Sequence, residues 1–198
     1  MVRIIGITGG IASGKSTVTE FLRQQGYQVI DADQVVHELQ EPGERLYQAL
    51  LSTFGSSILQ EDGRLDRPKL GAMIFGNPEL LAQSSQIQNQ IIREELAGRR
   101  DLLAGKEDIF FMDLPLLFEL DYEAWFDQVW LVDVTEETQL SRLMTRNALS
   151  QEEAEKRIAA QLSLQEKRNR ADVLIDNNGP LELTQEQLRE ALQKLERR

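Results

Sequence analysis

The stretch "RIIGITGGIASGKSTVTEFL", residues 3–22, constrains the fold more than any other part of this chain. It opens on an apolar run and closes on a segment with helical periodicity. Between them, Gly9-x4-Gly14-Lys15-Ser16 matches the phosphate-binding loop pattern at every position. A glycine-rich turn that matches by chance is the alternative, but the flanking strand and helix favour a functional loop. The stretch therefore predicts a strand, a loop that binds a nucleoside triphosphate, and a helix.

The loop residues have distinct expected roles. Glycines let backbone N–H groups approach phosphate oxygens, and the following helix adds its positive N-terminal end. Lys15 is expected to reach the β- and γ-phosphates, and the Ser16 hydroxyl to ligate Mg²⁺, so ATP and Mg²⁺ are the expected cofactors. The residues predicted to contact the nucleotide here are Gly10, Ile11, Ala12, Ser13, Gly14, Lys15, Ser16 and Thr17.

Short apolar runs predict the strands of the sheet. They are apolar on consecutive positions, as expected for parallel strands that are covered on both faces. Helical stretches lie between them, the first ending near Gly26 and the last running over about 182–194. The pattern predicts a doubly wound, five-stranded parallel α/β domain. The runs are residues 3–8, 27–31, 108–114, 128–134 and 172–177.

Two intervals are too long for simple crossovers between strands. Residues 34–107 are mostly helical in pattern, with breaks at Pro42-Gly43, 61–63 and Asn77-Pro78. Residues 136–170 predict two helical segments with many charges. We therefore expect a single domain with two helical insertions. Its core is predicted at about 1–33, 108–135 and 171–198, with one insertion at about 34–107 and a lid at about 136–170.

Composition limits the classes of function. With 198 residues, of which 41% are hydrophobic, the chain can form one domain with a substantial core. The absence of cysteine excludes disulfides, thiolate zinc sites and a thiol nucleophile, and fits the cytosol. No signal peptide pattern and no long apolar stretch occur, so a cytoplasmic protein without a membrane partner is expected. The net charge of −11 argues against nucleic acid as a partner.

Aspartates follow three of the predicted strands. Asp31-Ala32-Asp33 ends the second, and the alternation of a strand places both carboxylates on one side if the strand continues. A carboxylate at such a point can take the proton of an attacking hydroxyl, which is worth roughly 10²–10⁴ in rate. The alternative is that either aspartate caps the next helix, Asp33 in particular. Asp113 and Asp133 end "IFFMD" and "VWLVD", and we favour Asp113 as the metal-side carboxylate because "LPLLFE" follows it.

Basic residues are concentrated in 142–170 against the acidic background. Arg142 and Arg146 are four residues apart, so on a helix they share one face that suits polyphosphate. A lid that closes over the nucleotide is one interpretation, and a solvated, salt-bridged helix face is the other. Further on, Asn177-Asn178-Gly179 forms a turn that either flanks an adenine or is an ordinary turn.

The class of phosphate-loop protein can be narrowed by what accompanies the loop. A GTPase switch needs an Asn-Lys-x-Asp motif, which this chain lacks, and a ring ATPase usually has more length and extra domains. Two insertions, a carboxylate after the second strand and an arginine-rich lid instead favour a small-molecule kinase, which must keep water from the γ-phosphate. The alternatives are another small-molecule or nucleoside monophosphate kinase, and a regulatory protein that hydrolyses ATP slowly.

Several motifs together are more specific than the loop alone. In order along the chain they read "GITGGIASGKST", "DADQVVHEL", "DGRLDRPKLGAMIF", "DLPLLFE", "QLSRLMTRN" and "EEAEKRIAAQLSLQEKRNRADVLIDNNG". This series, which covers nearly the whole chain, resembles the dephospho-coenzyme A kinase family. The resemblance implies phosphorylation of the ribose 3′-hydroxyl of dephospho-CoA with ATP, which is the last step of CoA synthesis.

The resemblance also implies roles for individual residues. Asp33 would activate the ribose hydroxyl, with Lys15 and Arg146 as the other catalytic residues. Arg142 would join Arg146 in the lid over ATP, Asn177 would lie by the adenine, and residues 34–107 would hold the CoA moiety. Lys167 would belong to the same closing segment. The remaining residues expected at the substrate are Thr8, His37, Pro115, Leu116, Leu117, Arg157 and Gln161. Ser16 and Asp113 are expected at the metal from the loop motif and the strand-end pattern, not from the resemblance.

Two positions depart from the family pattern. The family loop usually reads GGIGSGKS, whereas this chain has Ala12, which we expect to matter only if a positive φ is required there. The family typically has a His-Pro pair further on, but here the stretch reads "LAQSSQIQNQIIREEL". The second departure concerns local substrate contacts and leaves the type of reaction unchanged.

Overall fold

The computed structural model describes residues 2–197. In that range the sheet has five strands: β1 (Arg3–Gly9), β2 (Val29–Asp31), β3 (Ile109–Asp113), β4 (Gln128–Asp133) and β5 (Val173–Asp176). Their order is β2-β3-β1-β4-β5, and β1 is parallel to β3 and β4 while β4 is parallel to β5. Strand β1, which leads into the phosphate loop, is therefore the central strand.

Helices connect these strands. The helices of the described chain are α1 (Lys15–Gln24), α2 (Ala32–Leu39), α3 (Arg45–Phe54), α4 (Arg67–Ile74), α5 (Pro78–Ala104), α6 (Glu136–Asn147), α7 (Gln151–Ala159), α8 (Leu164–Arg170) and α9 (Leu181–Glu196). None of the helices between residues 2 and 197 combines the length and the apolar character needed to span a lipid bilayer.

The chain divides into two compact units. The core unit consists of the residues up to 30 and from 103 onward, and the helical unit is Asp31–Leu102. The core unit therefore holds nearly all of the sheet with α1 and α6 to α9, and the helical unit holds α2 to α5.

The core unit is built around strands that are buried on both faces. Phe111 of β3 and Trp130 of β4 are fully buried, and their rings meet edge to face at 5.4 Å between centroids. Tyr27 stacks on Phe111 in the same way at 5.3 Å. Apolar residues of α1 and α9 complete this cluster, with Leu22 and Leu188 wholly buried. The consecutive apolar residues of the strands thus pack on both faces of one sheet, as predicted.

The helical unit has its own buried apolar residues. Leu46 and Leu50 of α3 and Ile58 are fully buried, and the Tyr47 hydroxyl donates to the Gly63 carbonyl at 2.7 Å. Helix α5 runs unbroken for 27 residues, so the stretch without the His-Pro pair is regular helix. Breaks between helices fall near the predicted Gly and Pro positions.

Two local predictions are wrong. Residues 136–170 contain three helices and not two, because Ala148 at φ 50° ends α6 and both Ser150 and Ser163 begin new helices with capping boxes. Strand β2 ends at Asp31 and does not continue to Asp33, since α2 begins at Ala32. The alternation argument for the two aspartates therefore does not apply.

Candidate active site

The phosphate loop has the shape of an anion site. Gly14 lies at φ 87°, which admits the turn into α1, and an added Cβ would collide with the Asn177 side chain. The turn is closed by Ser13 N–H to Gly10 O and Thr17 N–H to Gly14 O, each at 3.1 Å. No side chain caps the N-terminus of α1, and its first turn holds no acidic residue. Its N–H groups and positive helix end therefore suit an anionic ligand.

Side chains from the second half of the chain hold the backbone of this loop. Asn177 Nδ2 donates to Ser13 O at 2.8 Å, and Gln139 Nε2 donates to Ile11 O at 2.9 Å. Gln161 Oε1 accepts from the Ile11 N–H at 2.9 Å. Sequence reasoning missed Gln139, since a single glutamine in a charged helix carries no pattern that marks it. Asn177 and Gln161 were expected to contact ligands, and the structure shows that both side chains form hydrogen bonds with the loop backbone.

Ala12 meets the condition under which its departure from the family pattern matters. Its φ is 61°, in the left-handed region that glycine adopts without strain. A residue with a Cβ is disfavoured there by roughly 1–2 kcal/mol. The alanine therefore carries a cost in backbone energy at this position.

Beside the loop lies a cavity of about 650 Å³. Arg142 and Arg146 of α6 line it, and the Arg142 Nη2 donates to the Asn177 carbonyl at 2.8 Å. Within residues 2–197 neither guanidinium has a carboxylate partner. The positive charge of these two arginines is therefore available to an anionic ligand in the cavity. Its lining residues are Ala12, Gly14, Ser16, Thr17, Ser141, Arg142, Thr145, Arg146, Asn177, Gly179 and Leu181.

Other basic residues of the segment do form ion pairs. Lys156 pairs with Glu152 at 2.6 Å on an exposed surface, and Arg170 pairs with Glu123. Arg157 of α7 is exposed. The alternative of a solvated, salt-bridged face thus fits α7, while the cavity-lining interpretation fits α6.

The two strand-end aspartates differ in their surroundings. Asp133 Oδ2 lies 2.8 Å from Arg168 Nε, and the same guanidinium donates to Val134 O. The hydrogen bond to Asp133 is the main reason that the pKa of Arg168 is raised above its ordinary value. Asp113, 7% exposed, ends β3 opposite Ile7 of the strand that enters the loop. Asp113 as the metal-side carboxylate stays a prediction.

A buried ion pair lies in the same unit. Lys167 of α8 is 0% exposed, and its Nζ lies 2.8 Å from Glu119 Oε1. That oxygen also accepts from the Leu162 N–H at 3.1 Å. The pair therefore ties the segment between α7 and α8 to the segment after β3.

The segment after β3 is only partly accessible. Leu117 is fully buried, whereas Pro115 is half-buried and Leu116 is 39% exposed. The Thr8 hydroxyl donates to Pro115 O at 3.4 Å. Of the expected substrate-contacting residues in this unit, Leu116 and Pro115 offer side-chain surface, while Leu117 and Thr8 are buried in the core.

In the helical unit, Asp33 and His37 lie one turn apart on α2, and both are exposed. Asp31 caps α2 by accepting from the Gln34 N–H at 3.1 Å, so the capping alternative is correct for Asp31 and wrong for Asp33. Arg67 Nη2 contacts His37 Nδ1 at 2.6 Å and its Nε donates to Gln40 Oε1 at 2.8 Å. Because a guanidinium only donates, Nδ1 accepts and the imidazole presents Nε2–H.

A parallel sheet whose central strand enters a phosphate loop, next to a cavity lined by Arg142 and Arg146, defines a phosphate-loop nucleotide-binding protein. The dephospho-CoA kinase family model matches residues 3–182. A dephospho-CoA kinase from Streptococcus mutans serotype c is 59% identical over 196 residues, which cover 99% of both chains. The chain belongs to the dephospho-CoA kinase family.

Solved structures agree with this assignment. The crystal structure of TT1252 from Thermus thermophilus superimposes with a TM-score of 0.82 at 35% identity, over 98% of both chains. A dephospho-CoA kinase from Campylobacter jejuni gives a TM-score of 0.76 at 27% identity, also over 98% of both chains. The predicted family and the predicted α/β phosphate-loop fold are therefore confirmed, and a kinase of this fold uses a nucleotide.

Proposed function

We propose that this protein transfers the γ-phosphoryl group of ATP to the ribose 3′-hydroxyl of dephospho-CoA, giving CoA and ADP. The observation that carries the proposal is the family match over residues 3–182, which includes the complete phosphate loop. In the transfer the hydroxyl oxygen bonds to the γ-phosphorus and the bond to the β–γ bridging oxygen breaks. The proton of the hydroxyl passes to a carboxylate base.

The nucleotide side of the reaction belongs to the core unit. The loop N–H groups from Ala12 to Thr17 cradle the phosphates, and Lys15 reaches the β- and γ-phosphates. Arg142 and Arg146 are placed along the cavity beside the loop and supply positive charge to the transferring group. An arginine in that role is worth roughly 10³–10⁵ in kcat.

The oxygen donors of the protein fit an Mg²⁺ ion that is bound mainly by the phosphates of the nucleotide. Residues 2–197 contain no cluster of three or more metal-ligating side chains, and Mg²⁺ in kinases needs only one or two protein ligands beside phosphates and waters. The Ser16 hydroxyl and the Asp113 carboxylate are the oxygen donors that would hold it. When bound, the ion neutralises charge that develops on the phosphate oxygens.

The acceptor side belongs to the helical unit. Asp33 is exposed on the first turn of α2, and its side chain is not used as the helix cap, which leaves the carboxylate for the 3′-hydroxyl. His37, one turn along, has an Nε2–H that can donate to the same substrate. A cytosolic location also belongs to this proposal, and the absence of cysteine supports it.

The test is the release of ADP from MgATP with and without dephospho-CoA, together with the mass of the acceptor. The proposal expects acceptor-dependent ADP release and a gain of one phosphate per dephospho-CoA. Shikimate, gluconate and nucleoside monophosphates are tested in the same assay as alternative acceptors. A protein that binds MgATP but releases no more ADP with dephospho-CoA than without it would overturn the proposed acceptor.

A further inference from the structure

Two glutamines bracket one residue of the phosphate loop. The Ile11 N–H donates to Gln161 Oε1 and the Ile11 carbonyl accepts from Gln139 Nε2, both at 2.9 Å. Gln139 belongs to α6, and Gln161 lies between α7 and α8. The peptide groups on both sides of Ile11 are therefore fixed by side chains remote in sequence.

These bonds act on the strained residue of the loop. The Ile11 carbonyl belongs to the peptide group that precedes Ala12, which has a φ of 61°. A residue with a Cβ persists in this conformation only where the surrounding structure over-determines it. The Gln139 bond fixes the orientation of that peptide group, and the Gln161 bond fixes the one before it.

Both glutamines are held in place. Gln139 is 3% exposed, and a Cβ added to Gly10 would collide with its Nε2, so loop and side chain are in close contact. Gln161 is followed by Leu162, whose N–H donates to Glu119 Oε1 at 3.1 Å. Glu119 is in turn paired with the buried Lys167 at 2.8 Å. Gln139 therefore cannot leave Ile11 without disturbing a buried contact, and the backbone next to Gln161 is anchored through Leu162 and Glu119.

We propose that Gln139 and Gln161 are positioning residues that keep the phosphate loop in its anion-binding shape before the nucleotide arrives. They do so by holding Ala12 at positive φ through Ile11. The inference rests on the proposed function, because it concerns how the same loop binds MgATP. The inference gives the region after β4 two roles. It supplies arginines to the cavity, and it sets the geometry of the phosphate loop.

A double-mutant cycle tests the proposal. Gln139→Met keeps the length of the side chain but removes the donor, and we expect MgATP to bind roughly tenfold more weakly by calorimetric titration. Ala12→Gly supplies a residue that adopts the positive φ without restraint. In the Ala12→Gly background, Gln139→Met should therefore weaken binding by less than about threefold.

The matched control is Gln193→Met, at an exposed glutamine of α9, which should leave MgATP affinity unchanged. Thermal unfolding of each nucleotide-free variant separates folding from positioning. If Gln139→Met weakens binding equally with Ala12 or glycine at position 12, the two residues are not coupled and the proposal is wrong. Unchanged MgATP affinity in Gln139→Met would contradict it as well.

Hydrogen exchange gives a second test that does not depend on the Gln139 variant folding. In the unsubstituted, nucleotide-free protein the Ile11 amide should exchange slowly, and Gln161→Met should speed its exchange at least about tenfold. Equal exchange rates in the two proteins would overturn the inference. Failure of the unsubstituted protein to bind MgATP would instead count against the proposed function, while the exchange measurement would still report on the glutamine contacts.

Discussion

The core unit and the helical unit hold their site residues in different ways. In the core unit, Gln139, Gln161 and Asn177 bond to loop backbone, and Gln139 and Asn177 are buried. In the helical unit, Asp33 and His37 are exposed on α2, and His37 is held by another side chain, that of Arg67.

We attribute the difference to what each unit binds in the proposed function. A phosphate loop works through backbone N–H groups, whose directions must be fixed before the anion arrives, so buried contacts to backbone are the means. Exposed side chains keep rotamer freedom, which costs entropy when a ligand orders them but lets them adapt to an acceptor. Variants in the core unit should therefore act on nucleotide binding and stability, and those in the helical unit on the acceptor.

Lys15→Ala should give the largest effect on catalysis. It removes the only charge that the loop itself offers to the β- and γ-phosphates, so transfer should fall below detection in the coupled ADP assay. Lys106→Ala, an exposed lysine of the core unit, is the control for loss of a positive charge. Full activity in Lys15→Ala would contradict the assignment of the loop.

Lys167→Met should give the largest effect on stability. Removing one partner of this buried ion pair takes away the cation in contact with Glu119, which costs about 3–5 kcal/mol of unfolding free energy. Both tryptophans, Trp125 and Trp130, lie in the core unit, so their fluorescence in a urea titration reports its unfolding. Lys156→Met breaks an exposed pair and should cost at most about 1 kcal/mol. Equal midpoints for the two variants would show that the buried pair does not stabilise the unit.

Asp33→Asn tests the role of the helical unit. The amide keeps the shape but cannot take the hydroxyl proton, so kcat should fall roughly 10²-fold or more while MgATP affinity stays nearly unchanged. Asp62→Asn, in an exposed turn of the helical unit, is the matched control. Near-normal turnover would remove Asp33 from the mechanism, and a large loss of ATP affinity would end the proposed division of roles.

Arg67→Met should have a smaller effect, confined to the acceptor. Without the guanidinium, the ring of His37 loses the contact at Nδ1 that orients it, so KM for dephospho-CoA should rise about tenfold with little change in kcat. Steady-state kinetics with the acceptor varied provides the measurement. A change in KM for ATP alone would show that Arg67 serves the nucleotide instead.

Ala12→Gly should give the smallest effect, a gain in stability. Relief of the positive φ favours the folded state by about 1–2 kcal/mol, and the greater freedom of glycine in the unfolded chain offsets part of it. A net gain of at most about 1 kcal/mol in the urea titration is expected. A loss of stability would mean that the alanine methyl makes a favourable contact that outweighs the backbone strain.

Much of the fold could be predicted from local sequence. The run before Gly9 and the glycines and lysine after it form one contiguous motif, and the apolar runs coincide with the observed strands. Errors fell where chain direction changes within a few residues. The end of β2 at Asp31 and the break at Ala148 depend on single backbone conformations, which periodicity does not register.

The sequence by itself determined the phosphate loop, the strands and the family, because each is written in contiguous or ordered motifs. Only the tertiary structure decided that Gln139 and Gln161 meet at Ile11, that Asp133 is paired with Arg168 while Asp113 ends β3 beside β1, and that Ala12 lies at positive φ. These facts depend on contacts between residues more than 30 positions apart or on one backbone angle. Such contacts form only when the sheet brings strand ends together, and a single residue type leaves no local pattern that encodes them.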